Sequence, residues 1–88
     1  MPSYKITVQG KVQGVYYRKT IHAKAQDMGL KGYVKNLKSG DVEVGVSLDE
    51  NQYNLFVDVL KKGSPSSKVT HLKIRRSNEE FEEFSIRY

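Results

Sequence analysis

The sequence predicts an α+β domain whose elements follow the order β-α-β-β-α-β, with one more short strand at the end. Two segments carry apolar residues at helical spacing, other segments alternate apolar with polar residues, and turns containing glycine or proline separate them. Since the chain has 88 residues and no cysteine, it is expected to fold as one domain, residues 1–88, without disulfides.

The first half of the chain contains three predicted strands and one predicted helix. Residues 4–8 alternate apolar and polar side chains, which is typical of a strand with one buried face. A loop follows, and helical spacing then extends over Arg18–Met28 until Gly29 ends the helix. Residues 30–37 and 41–48 are predicted to form a hairpin, because a Lys-Ser-Gly turn joins two strand-like runs.

The second half begins with a predicted helix. Asp49 is a good N-cap, Gln52 is placed to complete a capping box, and Gly63 ends the helix. Strands are predicted over residues 69–74 and 84–88. This order is that of the ferredoxin-like split β-α-β fold, in which two helices pack on one face of an antiparallel sheet.

The net charge of +5 is unevenly distributed along the chain. Residues 1–40 hold eight Lys or Arg and one acid, whereas residues 41–88 hold seven Lys or Arg and nine acids. A basic half is compatible with nucleic acid, an acidic membrane or a small anionic substrate, and does not choose among them. Because residues 1–30 lack a continuous apolar stretch, no signal peptide or membrane span is predicted, and a cytoplasmic location is expected.

The segment Gly10–Arg18 carries the strongest functional signal, because it leads from a predicted strand through a glycine-containing turn into a helix. Backbone N–H groups at such a turn bind anions, and Arg18 adds a permanent positive charge. This combination predicts a site for a tetrahedral oxyanion such as phosphate. A Walker A loop is excluded, because only three residues separate Gly10 from Gly14 and Val15 follows.

Few other side chains offer catalytic or metal-binding chemistry. There is no cysteine nucleophile, and neither His22 nor His71 has a partner at metal-ligand spacing, so no metal site is predicted. His22 flanks the apolar stripe of the first helix and is interpreted as a partly exposed surface residue. Asn36, at the end of the second strand, is either a turn residue or an amide that orients a water molecule. Spacing alone does not decide between these two roles.

Two segments resemble the acylphosphatase family. Gly10–Arg18 resembles its first motif, Gly-x-Val-Gln-Gly-Val-x-Phe/Tyr-Arg, and Gly29–Asn36 resembles its second, Gly-x-x-Gly-aromatic-Val-x-Asn. Residues 40–43 and 63–69 also look like the family, so the resemblance covers nearly the whole chain. At the position of Tyr16 many members of the family carry glycine or phenylalanine.

The resemblance implies hydrolysis of the carboxyl-phosphate bond of small acyl phosphates to a carboxylate and inorganic phosphate. It implies that Arg18 and Asn36 are the catalytic residues and that Asn36 positions the attacking water. It also implies a mechanism that uses no metal or other cofactor and forms no covalent phosphoenzyme. A monomer that binds neither nucleic acid nor a membrane is expected. The phosphate-binding residues implied are Gln13, Gly14, Val15, Tyr16 and Tyr17, through backbone N–H groups, and Arg18.

Two other functions remain as alternatives. An RNA-binding module shares the fold class and a basic charge, and residues 31–33 look like the start of an RNP1 motif, but the aromatic pairs that stack on bases are missing. The second alternative is that this chain is a non-catalytic or carbamoyl-phosphate-specific module, similar to the acylphosphatase-type module at the start of certain hydrogenase-maturation carbamoyltransferases. Those are long chains with zinc-finger cysteines downstream, and this chain has no cysteine.

Overall fold

The computed structural model describes residues 1–88 and contains the predicted sequence of elements. Each predicted strand and helix is present, and the largest differences in length are at the first and fourth strands, each of which begins one residue earlier and ends three residues later than expected. The elements are β1 (Ser3–Lys11), α1 (Tyr17–Asp27), β2 (Lys31–Asn36), β3 (Val42–Ser47), α2 (Glu50–Lys62), β4 (Lys68–Ser77) and β5 (Phe84–Arg87).

The five strands form one sheet in the order β4-β1-β3-β2-β5. The pairings among β1 to β4 are antiparallel, as the split β-α-β order predicts. The terminal strand β5 differs from that expectation, because it pairs with β2 in parallel, and the sheet is therefore mixed. The reason is topological: the chain leaves β4 at one edge, crosses to the opposite edge, and enters β5 in the direction of β2.

Both helices pack on one face of the sheet and enclose the core. Of the alternating apolar residues of β1, Ile6 and Val8 are buried and Tyr4 is partly buried, and the helical stripe of α1 is buried, as their periodicity predicts. Core residues from the strands include Ile6, Val8, Val34, Val44 and Val46, and those from the helices include Ile21, Ala25, Phe56 and Leu60.

The two helices begin differently. α2 has the predicted capping box, in which Asp49 Oδ1 accepts from the Gln52 backbone N–H at 2.9 Å. The N-cap of α1 is Tyr16, which has a left-handed backbone (φ 60°) and makes no capping hydrogen bond through its side chain. The first turn of α1 is therefore left with uncapped N–H groups at the end of the loop from β1. Neither helix is long and apolar enough to cross a membrane.

Candidate active site

The loop between β1 and α1 presents a run of backbone donors. Gly14 (φ 73°) and Tyr16 (φ 60°) are left-handed, and left-handed residues alternating with others create the concave N–H arrangement that binds anions. The backbone N–H groups of Val12 to Lys19 donate no hydrogen bond to an acceptor within the protein. These donors, which include those predicted from Gln13 to Tyr17, have no acceptor within the protein.

Buried contacts hold this loop in place. Burial alternates along the loop: Val15 and Tyr17 are buried, whereas Gly14 and Tyr16, which precede them, are exposed. The Ser64 hydroxyl donates to the Val15 carbonyl at 2.6 Å, and the Tyr17 hydroxyl donates to the carbonyl of Leu60 in α2 at 2.8 Å. The loop is thus tied to α2 and to the segment that follows it, which fixes its conformation before a ligand binds.

Gln13 has a further contact that its place in the motif does not reveal. Its side-chain Nε2 donates to the carbonyls of Leu37 and Asp41, both at 2.8 Å. The side chain therefore joins the loop between β1 and α1 to the turn between β2 and β3. Only its backbone N–H remains free for an anion.

Arg18 lies in the first turn of α1 and is half-buried. Its Nη1 is 3.5 Å from the carbonyl oxygen of Arg87, and its Cζ lies 5.0 Å from the centre of the Tyr88 ring. These contacts hold the guanidinium against the end of β5. The two ion pairs of the protein join Lys35 to Glu43 and Arg87 to Glu79, so no carboxylate neutralises Arg18.

Asn36 ends β2, and its Oδ1 is buried without a hydrogen-bond partner. Buried polar atoms are rarely left unpaired, since each costs about 1–3 kcal/mol. Arg18 and Asn36 line the same cavity of about 680 Å³, together with Gly14 and Tyr16 of the loop. The structure therefore brings together residues whose proximity the sequence spacing did not establish.

Sequence reasoning missed five other residues of this cavity, which are Val12, Lys19, His22, Ile86 and Tyr88. His22 is partly exposed, as predicted, but it lines the cavity, and its Nε2 lies 3.0 Å from the carbonyl oxygen of Phe84. Its position four residues after Arg18, on the same face of α1, was an available signal. Ile86 and Tyr88 of the C-terminal segment also line the cavity, and no local pattern pointed to them.

The cavity combines a guanidinium without a carboxylate partner, a loop whose backbone N–H groups have no partner in the protein, and the side chain of Asn36. No group of three or more His, Cys, Asp or Glu side chains is placed to hold a metal ion. On this ferredoxin-like scaffold, such an arrangement is suited in charge and donors to a small oxyanion, and the residues belong to the two motif segments described above.

Comparison with known proteins identifies the family. The acylphosphatase family model matches residues 4–86. The acylphosphatase of Bacillus subtilis is 42% identical over 90 residues, which cover 100% of this chain and 99% of that protein. The crystal structure of acylphosphatase from Bacillus subtilis superposes with a TM-score of 0.93 at 40% identity and covers both chains completely.

A further solved structure bears on one alternative. Full-length HypF, in its phosphate- and nucleotide-bound form, matches with a TM-score of 0.83 at 26% identity, but the match covers 99% of this chain and 12% of HypF. The full-length similarity to acylphosphatases is greater in both identity and coverage. The chain belongs to the acylphosphatase family and is a hydrolase acting on acid anhydrides, the acyl phosphates.

Proposed function

We propose that this protein hydrolyses small acyl phosphates with Arg18 and the backbone N–H groups of Gln13 to Tyr17 holding the phosphoryl group and Asn36 orienting the attacking water. The observation that carries this proposal is the single cavity shared by Arg18, the loop and the unpaired amide of Asn36. Residues 1–88 act as one acylphosphatase domain, and the enzyme works as a cytoplasmic monomer.

The positive charge of the site suits phosphoryl transfer. In the transition state, negative charge is spread over the three equatorial phosphoryl oxygens, and fixed donors stabilise that charge without reorganising. Arg18 supplies a planar fork of donors, and its contacts with Arg87 and Tyr88 restrict its orientation. The loop supplies further N–H donors whose conformation is fixed by buried contacts.

The attacking water is positioned by Asn36. The Asn36 side-chain amide, which lines the cavity, hydrogen-bonds to the water, whose oxygen then attacks phosphorus on the side opposite the leaving carboxylate. The new bond joins the water oxygen to phosphorus, and the phosphorus–oxygen bond to the carboxylate breaks with its electron pair on the carboxylate. A phosphoryl oxygen of the substrate accepts the proton from water. Because a carboxylate is a good leaving group, no general acid is required.

Hydrolysis of benzoyl phosphate by protein stripped in EDTA and assayed without added metal tests this function. We expect full activity, because Arg18 and the loop provide the positive charge. Activity that is lost in EDTA and returns with magnesium or zinc would overturn the metal-independent mechanism. Carbamoyl phosphate is assayed in parallel, because turnover of carbamoyl phosphate alone would favour the carbamoyl-phosphate-specific alternative.

A further inference from the structure

β4 forms one edge of the sheet and is the longest strand of the protein. It spans Lys68–Ser77 and pairs only with β1, so its other edge faces no strand. Apart from the ladder with β1, its backbone groups make no hydrogen bond within the protein. Such an edge presents a row of unpaired N–H and C=O groups, to which an extended segment can bind as an added strand.

The two faces of β4 differ in chemistry. Leu72 and Ile74 pair with core residues of β1 and therefore lie on the face of the sheet that the helices cover. Lys73 and Arg75 alternate with them and lie on the opposite face, the open face, which no helix covers. Lys5 of β1 is the register partner of Arg75, so two cations are neighbours on the open face.

The positive charge of β4 has no partner within the protein. The strand contains no acid and four exposed cations, which are Lys68, Lys73, Arg75 and Arg76. None of the four takes part in either ion pair of the protein. Because like charges directly opposite each other on a sheet are destabilising, Lys5 beside Arg75 favours the binding of an anionic group there.

Apolar surface lies on the helix side of the same edge. Leu72 and Ile74 are only partly buried, and with Val69 they line a groove of about 540 Å³ between β4 and α2. Val57 of α2 also lines this groove and lies outside the apolar core. The edge of β4 therefore offers apolar contact on one side and cations on the other.

We propose that the free edge of β4 binds an extended segment of a partner protein in which acidic and apolar residues alternate. Successive side chains of a strand point to opposite faces, so a segment added to β4 presents its acids to Lys73 and Arg75 and its apolar residues to the groove. The backbone edge supplies hydrogen bonds to any sequence, and the two faces supply the selectivity.

Charge and composition favour this partner over two others. A second copy of the chain paired through β4 would bring the same cations together, which opposes that pairing. A single-stranded nucleic acid is attracted by the cations but uses neither the backbone edge nor the groove, and β4 contains no Phe, Tyr or Trp for base stacking. No residue of β4 lines the catalytic cavity, so the proposal does not depend on the proposed function.

The test uses the full chain and a fluorescein-labelled ten-residue peptide in which glutamate and valine alternate. Binding is followed by fluorescence anisotropy and compared with that of a lysine–valine peptide and of the glutamate–valine peptide N-methylated at every residue. N-methylation removes the backbone donors but keeps the charge and the side chains. We expect the unmodified glutamate–valine peptide to bind at least about tenfold more tightly than either of the others. No binding at about 1 mM peptide, or equal binding of the N-methylated form, would overturn strand pairing at β4.

Lys73→Glu combined with Arg75→Glu reverses the charge of the open face, and we expect it to weaken peptide binding at least about tenfold. Lys24→Glu combined with Lys38→Glu makes the same charge change at exposed positions outside β4 and should bind as the wild type does. Equal weakening in both double variants would show a general effect of charge and overturn the proposal. A labelled thymidine decamer that binds as tightly as the peptide and is lost in the same β4 variant would assign this face to nucleic acid instead.

Amide hydrogen exchange of the wild type provides a second measurement that needs no variant. The peptide should slow exchange at those residues of β4 whose N–H groups face the free edge. It should leave exchange in β5, the other edge of the sheet, unchanged. Peptide binding without protection of β4 would contradict the added strand, whether or not the protein hydrolyses acyl phosphates.

Discussion

The side-chain amide of Gln13 donates a 2.8 Å hydrogen bond to the carbonyl oxygen of Leu37, the residue that follows Asn36. A second bond of the same length reaches Asp41. The loop between β1 and α1 and the strand end that carries Asn36 are thereby joined through one side chain. The first motif therefore contributes to the placement of a residue in the second.

Replacing Gln13 with alanine should impair both stability and catalysis. Two carbonyl oxygens lose their donor, so we expect a loss of about 1–3 kcal/mol in the free energy of unfolding. We also expect a lower kcat, because the loop and Asn36 are no longer held together. Urea unfolding and benzoyl phosphate turnover measure the two effects, with the exposed Gln26→Ala as control. Unchanged stability would show that these bonds contribute nothing in solution.

Arg18→Ala should nearly abolish activity and leave the fold intact. The guanidinium is half-buried at a helix start and contributes no core packing, whereas removal of one transition-state donor typically costs about 10²–10³ in rate. Arg18→Lys should restore little, because an ammonium cannot form the bidentate fork. The test is to compare the steady-state kinetics of Arg18→Ala and Arg18→Lys with those of the wild type, with Lys24→Ala as the control at an exposed position. Near wild-type turnover in Arg18→Ala would disprove the assigned role.

Asn36→Ala should separate activity from stability. Its side chain makes no hydrogen bond within the protein and its Oδ1 is buried and unpaired, so its removal should not lower the melting temperature appreciably. kcat should fall strongly, with a smaller effect on inhibition by inorganic phosphate, because a water-orienting residue acts in the chemical step. The exposed Asn54→Ala is the control. If phosphate inhibition weakens as much as kcat falls, Asn36 binds the phosphoryl group instead.

Phosphate and sulfate should raise the melting temperature in a saturable way. We expect the N–H groups without an internal partner and Arg18, which has no carboxylate partner, to bind a tetrahedral oxyanion in the folded state only, which would stabilise that state by mass action. Sodium chloride at matched ionic strength should have much less effect, and Arg18→Ala should lose the phosphate effect. An equal shift with chloride would indicate general screening of positive charge.

Alkaline pH should destabilise the protein through Tyr17. Burial raises the pKa of its hydroxyl above the usual value, and the hydroxyl donates to the Leu60 carbonyl. The folded state therefore holds the neutral phenol while the unfolded state ionises near pH 10, so this stability is present below pH 10 and is lost above it. Melting temperatures measured from pH 8 to pH 11 should fall more steeply for the wild type than for Tyr17→Phe.

At pH 8 the variant should be less stable than the wild type by about 1 kcal/mol, because it lacks the hydrogen bond to Leu60. The difference between the two proteins should then shrink as the pH rises. Burial and Glu43 also raise the pKa of Tyr33, but that residue is common to both proteins and its contribution cancels. Parallel curves would show that ionisation of Tyr17 does not limit alkaline stability.

The sequence by itself determined the elements and the motif residues. Periods of two and of 3.6, together with the Asp49 capping box and the glycine at position 63, are local features, and they predicted the strands and helices with small errors in their ends. The acylphosphatase resemblance assigned Arg18, Asn36 and the loop, and the matched family confirms the class of activity. The individual roles of these residues remain predictions for the variants above.

Only the tertiary structure decided which residues meet. The parallel pairing of β5 with β2, the shared cavity of Arg18 and Asn36, and the positions of His22, Ile86 and Tyr88 all join segments far apart in the chain. Their proximity depends on strand order and helix packing, which no local spacing encodes. Gln13 shows the same limit within a recognised motif, because its side chain bonds to Leu37 and Asp41, residues that approach it only when the sheet has formed.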